Sequence, residues 1–364
     1  MTDAKQPLLS ICIPTFNRAA CLRSAIWALV SQVKEMGDLV ELVISDNCSM
    51  DQTSEVIAWG QQYVRIQYNR NDTNLGFECN LLLLTNSLAK GEYCWVLGDD
   101  DIVREHGVKS IIEAIQKYPY IDYLFVNHSY EHERSKKSND QNTLITGADF
   151  SELRNPLCWD METKIVQHWE KIIKFSRVPA LFTSIVSHVF RRNKWNEFSS
   201  GLNIIDKPPH SSLEMSIPHA CIVARMMVGR PAVYIGYPHV IMFVGNQLWF
   251  DQWWPMIQVI RALELSDLFE SLGAEKQMVD LYRNVVFKNS SHYFWRLLTD
   301  SSLESRQYFS LATLIKRYWK YKSFWAMVSG YRALASLFLK KFPYVKRQIL
   351  WIMNRLDEWT IDIM

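Results

Sequence analysis

The sequence predicts an α/β protein built on a doubly wound, mostly parallel sheet, followed by a mainly helical C-terminal region. Three observations carry this expectation. Short apolar, β-prone runs alternate with helically spaced apolar residues over roughly the first 120 residues, the order that builds parallel sheets. Each run stops at polar residues, as strands do at the ligand-binding edge of such a sheet. The last, Tyr93-Cys94-Trp95-Val96-Leu97-Gly98, runs straight into three carboxylates, Asp99, Asp100 and Asp101.

Taken in order, Leu8 to Pro14 is nearly all apolar, as a strand buried on both faces is. Pro14-Thr15-Phe16-Asn17-Arg18 ends it. Leu22, Ala25, Ile26, Leu29, Val30 and Val33 recur at helical spacing and mark a helix packed on the sheet. Leu39 to Ile44 is a second strand, ending in Ser45-Asp46-Asn47. Ser49 or Asp51 can cap the helix after it. Val64 to Tyr68 is a third, weaker strand. Asn74-Leu75-Gly76 opens a helix through Asn80, Leu81, Leu84 and Leu88. Glu92 to Leu97 is the fourth strand, Glu105 to Tyr118 a helix, and Ile121 to Val126 a fifth strand. Residues 131–142 are polar throughout and read as a solvated loop. Further on, Ser184 to Phe190 and Val233 to Val244 look like strands and Ser216 to Val228 like a helix. From Trp253 the chain is mostly helical. The expected division is 1–128 for a ligand-binding half, 129–250 for a second half of the same domain, and 251–364 for a helical, basic-aromatic region.

At 364 residues, with 48% hydrophobic residues and a net charge of +2, the chain is globular and ordered. Its charge is uneven. Ser301 to Met364 carries 11 Lys or Arg against 4 Asp or Glu, leaving −5 on the rest. Basic residues sit beside aromatics in Arg317-Tyr318-Trp319-Lys320-Tyr321-Lys322 and Phe338-Leu339-Lys340-Lys341-Phe342. An amphipathic basic helix suits an anionic membrane surface, although a solvated helical face is the commoner role of such a run. The seven cysteines (Cys12, Cys21, Cys48, Cys79, Cys94, Cys158, Cys221) form no C-x-x-C pair and read as reduced thiols in a cytoplasmic protein. The N-terminus has no apolar signal core, and no run is apolar enough for long enough to span a bilayer. No G-x-G-x-x-G follows the first strand, which argues against a dinucleotide dehydrogenase. No recognised nucleic-acid module is present.

Three adjacent carboxylates repel one another and are best tolerated beside a cation or in full solvation. Hard divalent cations such as Mg²⁺ and Mn²⁺ take oxygen ligands, often one or two carboxylates plus substrate phosphates. The plainer reading is an acidic cluster at the start of the next helix, stabilised by its dipole. Likewise Asp46 and Asp51 could serve only as helix caps.

The four strand-end elements, Pro14-Thr15-Phe16-Asn17-Arg18, Ser45-Asp46-Asn47, Asn74-Leu75-Gly76 and Asp99-Asp100-Asp101, resemble in order and spacing the inverting glycosyltransferases of family 2, whose fold is called GT-A. The resemblance covers about residues 8–128 well and 180–245 loosely. The Gly98-Asp99-Asp100-Asp101 form of the acidic motif is similar to that of bacterial O-antigen and surface-polysaccharide sugar transferases, abequosyltransferases among them. The resemblance implies that Pro14, Thr15, Asn17 and Arg18 line a nucleotide pocket. It implies that Asp46 accepts a hydrogen bond from the nucleotide base, and that Asn74, Gly76 and Asn80 shape the pocket wall. The resemblance further implies that Asp99 and Asp101 are the outer members of a D-x-D motif that would hold Mn²⁺ or Mg²⁺ against the donor diphosphate. Alignment on Ile102 makes Asp100 the ligand instead.

The family's general base is usually Glu-Asp or a lone Asp about 100 residues later; no Glu-Asp occurs here. His219 stands nearest that place and Glu214 a turn or so further away; the two rank equal as candidates, with Asp206 third. Trp249, Phe250, Trp253 and Trp254 form either a core cluster or a platform for an acceptor sugar. The resemblance thus implies transfer from a nucleotide-diphosphate sugar to a glycan acceptor linked to polyprenyl diphosphate, by an enzyme peripheral to the inner face of the cytoplasmic membrane. The rival is a nucleotide-sugar-binding or scaffold protein that has lost catalysis.

Overall fold

The computed structural model describes residues 6–132, 153, 155–176, 178–202, 204, 207–244 and 250–329. Asp206, Trp249, most of the polar 131–142 segment and the 338–342 basic-aromatic segment lie outside the described residues.

The expected parallel half is present. β1 (Leu9–Thr15), β2 (Val40–Asp46), β3 (Ile66–Arg70) and β4 (Tyr93–Val96) lie parallel in the order β3-β2-β1-β4. All seven residues of β1 pair with β2, so Thr15 stands opposite Asp46. The connecting helices are α1 (Ala19–Met36), α2 (Thr53–Gly60) and α3 (Gly76–Leu82). After β4 the chain adds a short β5 (Ile102–Val103), then α4 (Gly107–Lys117).

The sheet continues as β8 (His188–Arg191), β6 (Tyr123–His132) and β9 (Ala232–Val244). β8 runs antiparallel between β4 and β6, while β9 is parallel to β6. β5 and β7 (Lys164–Val166) pair antiparallel with β9. At two and three residues these two are too short to show an alternating pattern in sequence. Three expectations change. The fifth strand, expected to end at Val126, runs on as β6 to His132, so residues 131 and 132 of the polar segment are paired with β9. The strand expected from Ser184 begins at His188, because Ser184 turns back and donates both its N–H and its hydroxyl to the Ala180 carbonyl. The helix expected through Leu88 is α-helical only to Leu82 and then widens into a π-turn over Leu83–Leu88. There Thr85 Oγ1 donates to the Leu81 carbonyl at 2.9 Å, and the buried Trp195 indole N–H reaches Thr85 Oγ1 at 3.0 Å and Asn86 Oδ1 at 3.1 Å. Side-chain bonds of this kind compete with the regular helical ladder.

Both faces of the sheet are covered. Leu9, Ile11 and Ile13 of β1 pack with α1, α2 and α4. Cys12, Cys94, Val96, Phe125 and Phe190 face the other way, toward α5 (Arg192–Ser199) and α6 (Pro218–Met227). The second core does not stop at residue 250. It runs on through Met256, Leu263, Phe269, Tyr282, Phe294 and Phe324, across the helices from α7 (Phe250–Met256) to α12 (Lys322–Ser329). Residues 251–329 are therefore packed into the same core as the sheet.

That core holds three buried histidines, His128 on β6, His188 on β8 and His219 on α6. Tyr123 Oη lies 2.5 Å from His188 Nδ1, and Ser187 Oγ 2.9 Å from His128 Nδ1. Their other ring nitrogens, and Nδ1 of His219, have no hydrogen-bond partner among the described residues. Burial lowers His128 to about 3 and His219 to about 4. Burial, then repulsion from His219, pushes His188 well down. A depressed folded-state value means that the unfolded chain gains protons first. Stability is thus full above pH ~6.5 and is lost as pH falls from there toward ~4, at up to about 1.4 kcal/mol per pH unit for each histidine. These histidines should pull the melting temperature down over this window, and His128→Leu should remove part of that pull, as scanning calorimetry between pH 7.5 and 4.5 will show.

Candidate active site

Every sequence-expected pocket residue except Asn80 lies at or beyond the C-terminal ends of β1, β2 and β4, or on the loop entering α3. The acidic run forms a tight turn after β4. Asp99, Asp100 and Asp101 are each only 4% exposed. Asp101 Oδ2 accepts the Gly98 N–H at 2.6 Å, and a side chain on Gly98 would collide with that carboxylate at 2.7 Å. Asp99 Oδ2 accepts from Thr15 Oγ1 at 2.8 Å. Arg18 spans the other two contacts, Nη1 to Asp99 Oδ1 at 2.8 Å and Nη2 to Asp100 Oδ2 at 2.6 Å. Burial raises Asp99 to about 6, opposed by Arg18 and reinforced by Asp100. Asp101 is raised well above the usual carboxylate range, by burial and then by Asp100.

The loops after β1 and β2 are laced together. Asn17, with φ of 53°, donates its N–H to Ser49 Oγ at 2.9 Å and accepts from the Met50 N–H at 2.7 Å. Asparagine tolerates this left-handed conformation better than most residues. Asp51 does more than cap. One oxygen takes the Thr53 N–H and hydroxyl at the start of α2, the other the Ala19 N–H at the start of α1. Asp46 is fully buried. It accepts the Ser49 N–H at 2.8 Å and the Tyr68 hydroxyl at 2.8 Å, with Arg70 Nε at 3.6 Å.

An amide network fixes the loop entering α3. Asn47 Nδ2 donates to Asn74 Oδ1 at 2.7 Å and to the Gly76 carbonyl at 3.3 Å. Its Oδ1 accepts from Leu75 N at 2.9 Å and Asn71 Nδ2 at 3.0 Å. Gly76 has φ of 80° and its N–H returns to Asn74 Oδ1. Asn80, 2% exposed, is a strut beneath the wall, bonded to Ser45 and Asn71. Asn47, Ser49, Tyr68, Arg70 and Asn71 were not singled out as site residues in the sequence. A signal existed for two of them, since Asn47 adjoins Asp46, and Arg70 ends the strand paired with β2, opposite Asp46.

The two candidate bases lie outside this network. His219 Nε2 is 2.9 Å from the Thr183 carbonyl, which can only accept, so Nε2 carries the hydrogen. Glu214, on the loop before α6, pairs with Arg225 at 2.5 Å and keeps its side chain 20% exposed. Trp253 stacks on His210 with ring centroids 4.5 Å apart, and Trp254 Nε1 donates to Tyr293 Oη at 3.1 Å; both pack against the core.

A sheet whose β1, β2 and β4 ends gather a carboxylate run, a guanidinium and asparagine-rich loops is of the GT-A glycosyltransferase type. A solved structure of residues 1–349 of S. aureus TarS shares the fold with a TM-score of 0.55 at 15% identity, over 82% of this chain and 77% of that one. Residues 10–189 match the profile of glycosyl transferase family 2, so the chain carries a domain of that family. The abequosyltransferase RfbV of Salmonella typhimurium is 30% identical over 221 residues, 58% of this chain. The chain thus spans 61% of that relative's length. An uncharacterized glycosyltransferase of Mycoplasma genitalium is 34% identical over 122 residues, 32% of this chain and 40% of that one. The family segment contains the whole network around Asp99 but not Glu214 or His219.

Asn47→Ala should strip partners from Asn71, Asn74 and the Leu75 N–H at once. Asn74 and Leu75 are solvent-exposed and Asn71 keeps Asn80, so the expected loss is about 0.5–1.5 kcal/mol, the net worth of an ordinary hydrogen bond, read as a lower urea midpoint at unchanged slope.

Proposed function

We propose that the protein is a metal-dependent, inverting glycosyltransferase. It moves one sugar from a nucleotide-diphosphate donor to a bacterial surface glycan of the O-antigen or capsule type, carried on polyprenyl diphosphate. The observation that carries this reading is the buried Asp99-Asp100-Asp101 turn joined to Thr15 and Arg18 inside the family 2 segment. The acceptor class rests on the likeness to an abequosyltransferase.

The donor set suits a hard divalent cation, Mn²⁺ or Mg²⁺, because it is all carboxylate oxygen. Among the described residues no group of three or more His, Cys, Asp or Glu side chains converges as a cage. That accords with an ion held by one or two carboxylates and completed by substrate phosphates. One or two of Asp99, Asp100 and Asp101 would hold the ion, which would supply charge stabilisation to the leaving diphosphate. Pro14, Thr15 and Asn17 line the nucleotide pocket, Arg18 orients the diphosphate, and Asp46 accepts from the base with the lone pairs its present donors leave. Asn74 and Gly76 form the wall that Asn80 props.

Inversion by single displacement needs one group to take the acceptor hydroxyl proton. Glu214 is the better candidate here. Its carboxylate is part-exposed and oriented by Arg225. His219 spends its Nε2 hydrogen on a backbone carbonyl, and burial makes its remaining nitrogen a weak base.

Membrane contact at the cytoplasmic face is supported by α11 (Leu311–Tyr318) and the turn after it, where Lys316, Arg317, Lys320 and Lys322 are exposed around Trp319, itself 45% exposed. Among the described residues no helix is long and apolar enough to cross a membrane.

Calorimetric titration with CDP, UDP, GDP and dTDP, in Mn²⁺ and in EDTA, tests the donor site. One diphosphate should bind in a metal-dependent way and lose at least tenfold in affinity, about 1.4 kcal/mol, in Asp99→Asn. Metal-independent binding that survives this change would remove the metal assignment. Glu214→Gln should leave that binding intact and cut turnover on a polyprenyl-diphosphate glycan by about 10²–10⁴-fold. Donor binding without turnover on any acceptor would instead favour the scaffold reading.

A further inference from the structure

We propose that Arg18 is the resident counter-cation of the donor site: its guanidinium pairs with Asp99 and Asp100 until a divalent cation takes the carboxylates, and then moves to the donor diphosphate. This rests on the reading of Asp99 to Asp101 as the metal-diphosphate site, and deepens it.

The geometry defines a competition. Arg18 uses two different nitrogens on two different carboxylates, at 2.8 and 2.6 Å. Asp99 has both oxygens engaged, one by Arg18 and one by Thr15. Asp101 has one oxygen turned onto the Gly98 N–H. A cation entering here contends with Arg18 for the oxygens of Asp99 and Asp100, and like charges at that separation exclude one another.

The backbone beneath Arg18 is fixed. Its carbonyl accepts the Cys21 and Leu22 N–H groups at the first turn of α1. On one side Asn17 is bonded twice to the Ser49-Met50 loop, and on the other the Ala19 N–H is held by Asp51. The side chain, 25% exposed, is the part free to swing. Arginine suits both partners, since its planar fork matches phosphate as well as carboxylate.

The energetic consequence is coupling. A cation arriving alone must displace Arg18 and leave its guanidinium without an anion. A diphosphate arriving alone meets buried carboxylates. Together, each supplies what the other displaces. The cation and the diphosphate should therefore raise each other's affinity by the same factor, and Arg18 is the residue through which much of that factor passes.

The test measures Mn²⁺ binding to the full chain by electron paramagnetic resonance of free Mn²⁺, alone and with each of CDP, UDP, GDP and dTDP. Wild type, Arg18→Ala and Arg18→Lys are compared, with circular dichroism confirming the fold. Arg18→Ala should bind Mn²⁺ alone about tenfold more tightly than wild type, while the enhancement by diphosphate shrinks by about the same factor. Arg18→Lys keeps the charge but loses the fork, and should fall between the two; it carries the test if Arg18→Ala does not fold. Unchanged or weaker Mn²⁺ affinity in the folded variants, with diphosphate coupling intact, would overturn the role of Arg18 and leave the donor site standing. Absence of Mn²⁺ binding with every diphosphate in wild type, or binding that survives Asp99→Asn, Asp100→Asn and Asp101→Asn together, would overturn the donor site and this role with it.

Discussion

Three consecutive carboxylates buried at the end of β4 are the constraint around which the strand-end loops are arranged. Taking even one carboxylate out of water is costly unless it is paired. Here three are taken together, and the chain brings one guanidinium, one hydroxyl and one backbone N–H to meet them. Thr15 and Arg18 come from the end of β1, which lies beside β4 in parallel register, with Cys12 opposite Val96. An antiparallel β1 would have left those groups at the far edge of the sheet. The parallel half is thus what makes the site possible. Removing one partner of a buried pair of this kind costs about 3–5 kcal/mol.

The same logic extends outward in layers. Arg18 can face the aspartates because Asn17 and Asp51 fix the chain on either side of it. Asp51 and Ser49 are placed by β2, and β2 is aligned by its seven-residue pairing with β1. The asparagine network of Asn47, Asn71, Asn74 and Asn80 repeats the device without charge. Side-chain amides replace backbone partners that an irregular loop cannot supply, in keeping with the rule that buried polar groups are hydrogen-bonded. The left-handed residues Asn17 and Cys48 sit at these joints, where surrounding contacts over-determine the backbone.

Much of this half was legible in the sequence because its signals are local. Leu9 to Ile13 and Val40 to Ile44 are apolar runs interrupted only by Ser10 and Glu41, and each ends in the residues that later meet at the site. What was not legible depends on pairing across long separations. β8 inserts antiparallel between β4 and β6 from some 90 residues away, and nothing in His188-Val189-Phe190-Arg191 announces its direction. The π-turn after α3 is imposed by Trp195, 110 residues from Thr85. The role of Arg18 was half legible: its place after β1 marked it for the pocket, but only the fold shows that it clasps two of the three aspartates. His219 was read from its distance along the chain, which carries no information on burial, and it lies in the histidine-lined core.

The packing of the C-terminal helices bears on how the two halves of the site are held in relation. Arg261, at the junction before α8 (Ala262–Ser271), is 4% exposed. It donates from Nε to Ser216 Oγ at 3.0 Å and from Nη2 to the His210 carbonyl at 2.7 Å, while Nη1 pairs with Glu264 at 2.6 Å. Its guanidinium lies over Tyr308 at 5.4 Å. His210, with φ of 60°, stacks on Trp253. The loop that carries Glu214 is therefore anchored at both ends by residues beyond 250. A loop of irregular backbone holds a catalytic group in place only as firmly as its anchors do. The helices after the sheet accordingly brace the loop that carries Glu214, and the α11 and α12 residues around the exposed Trp319 pack into the same core. A membrane contact made there would reach the loop that carries Glu214 through packed side chains.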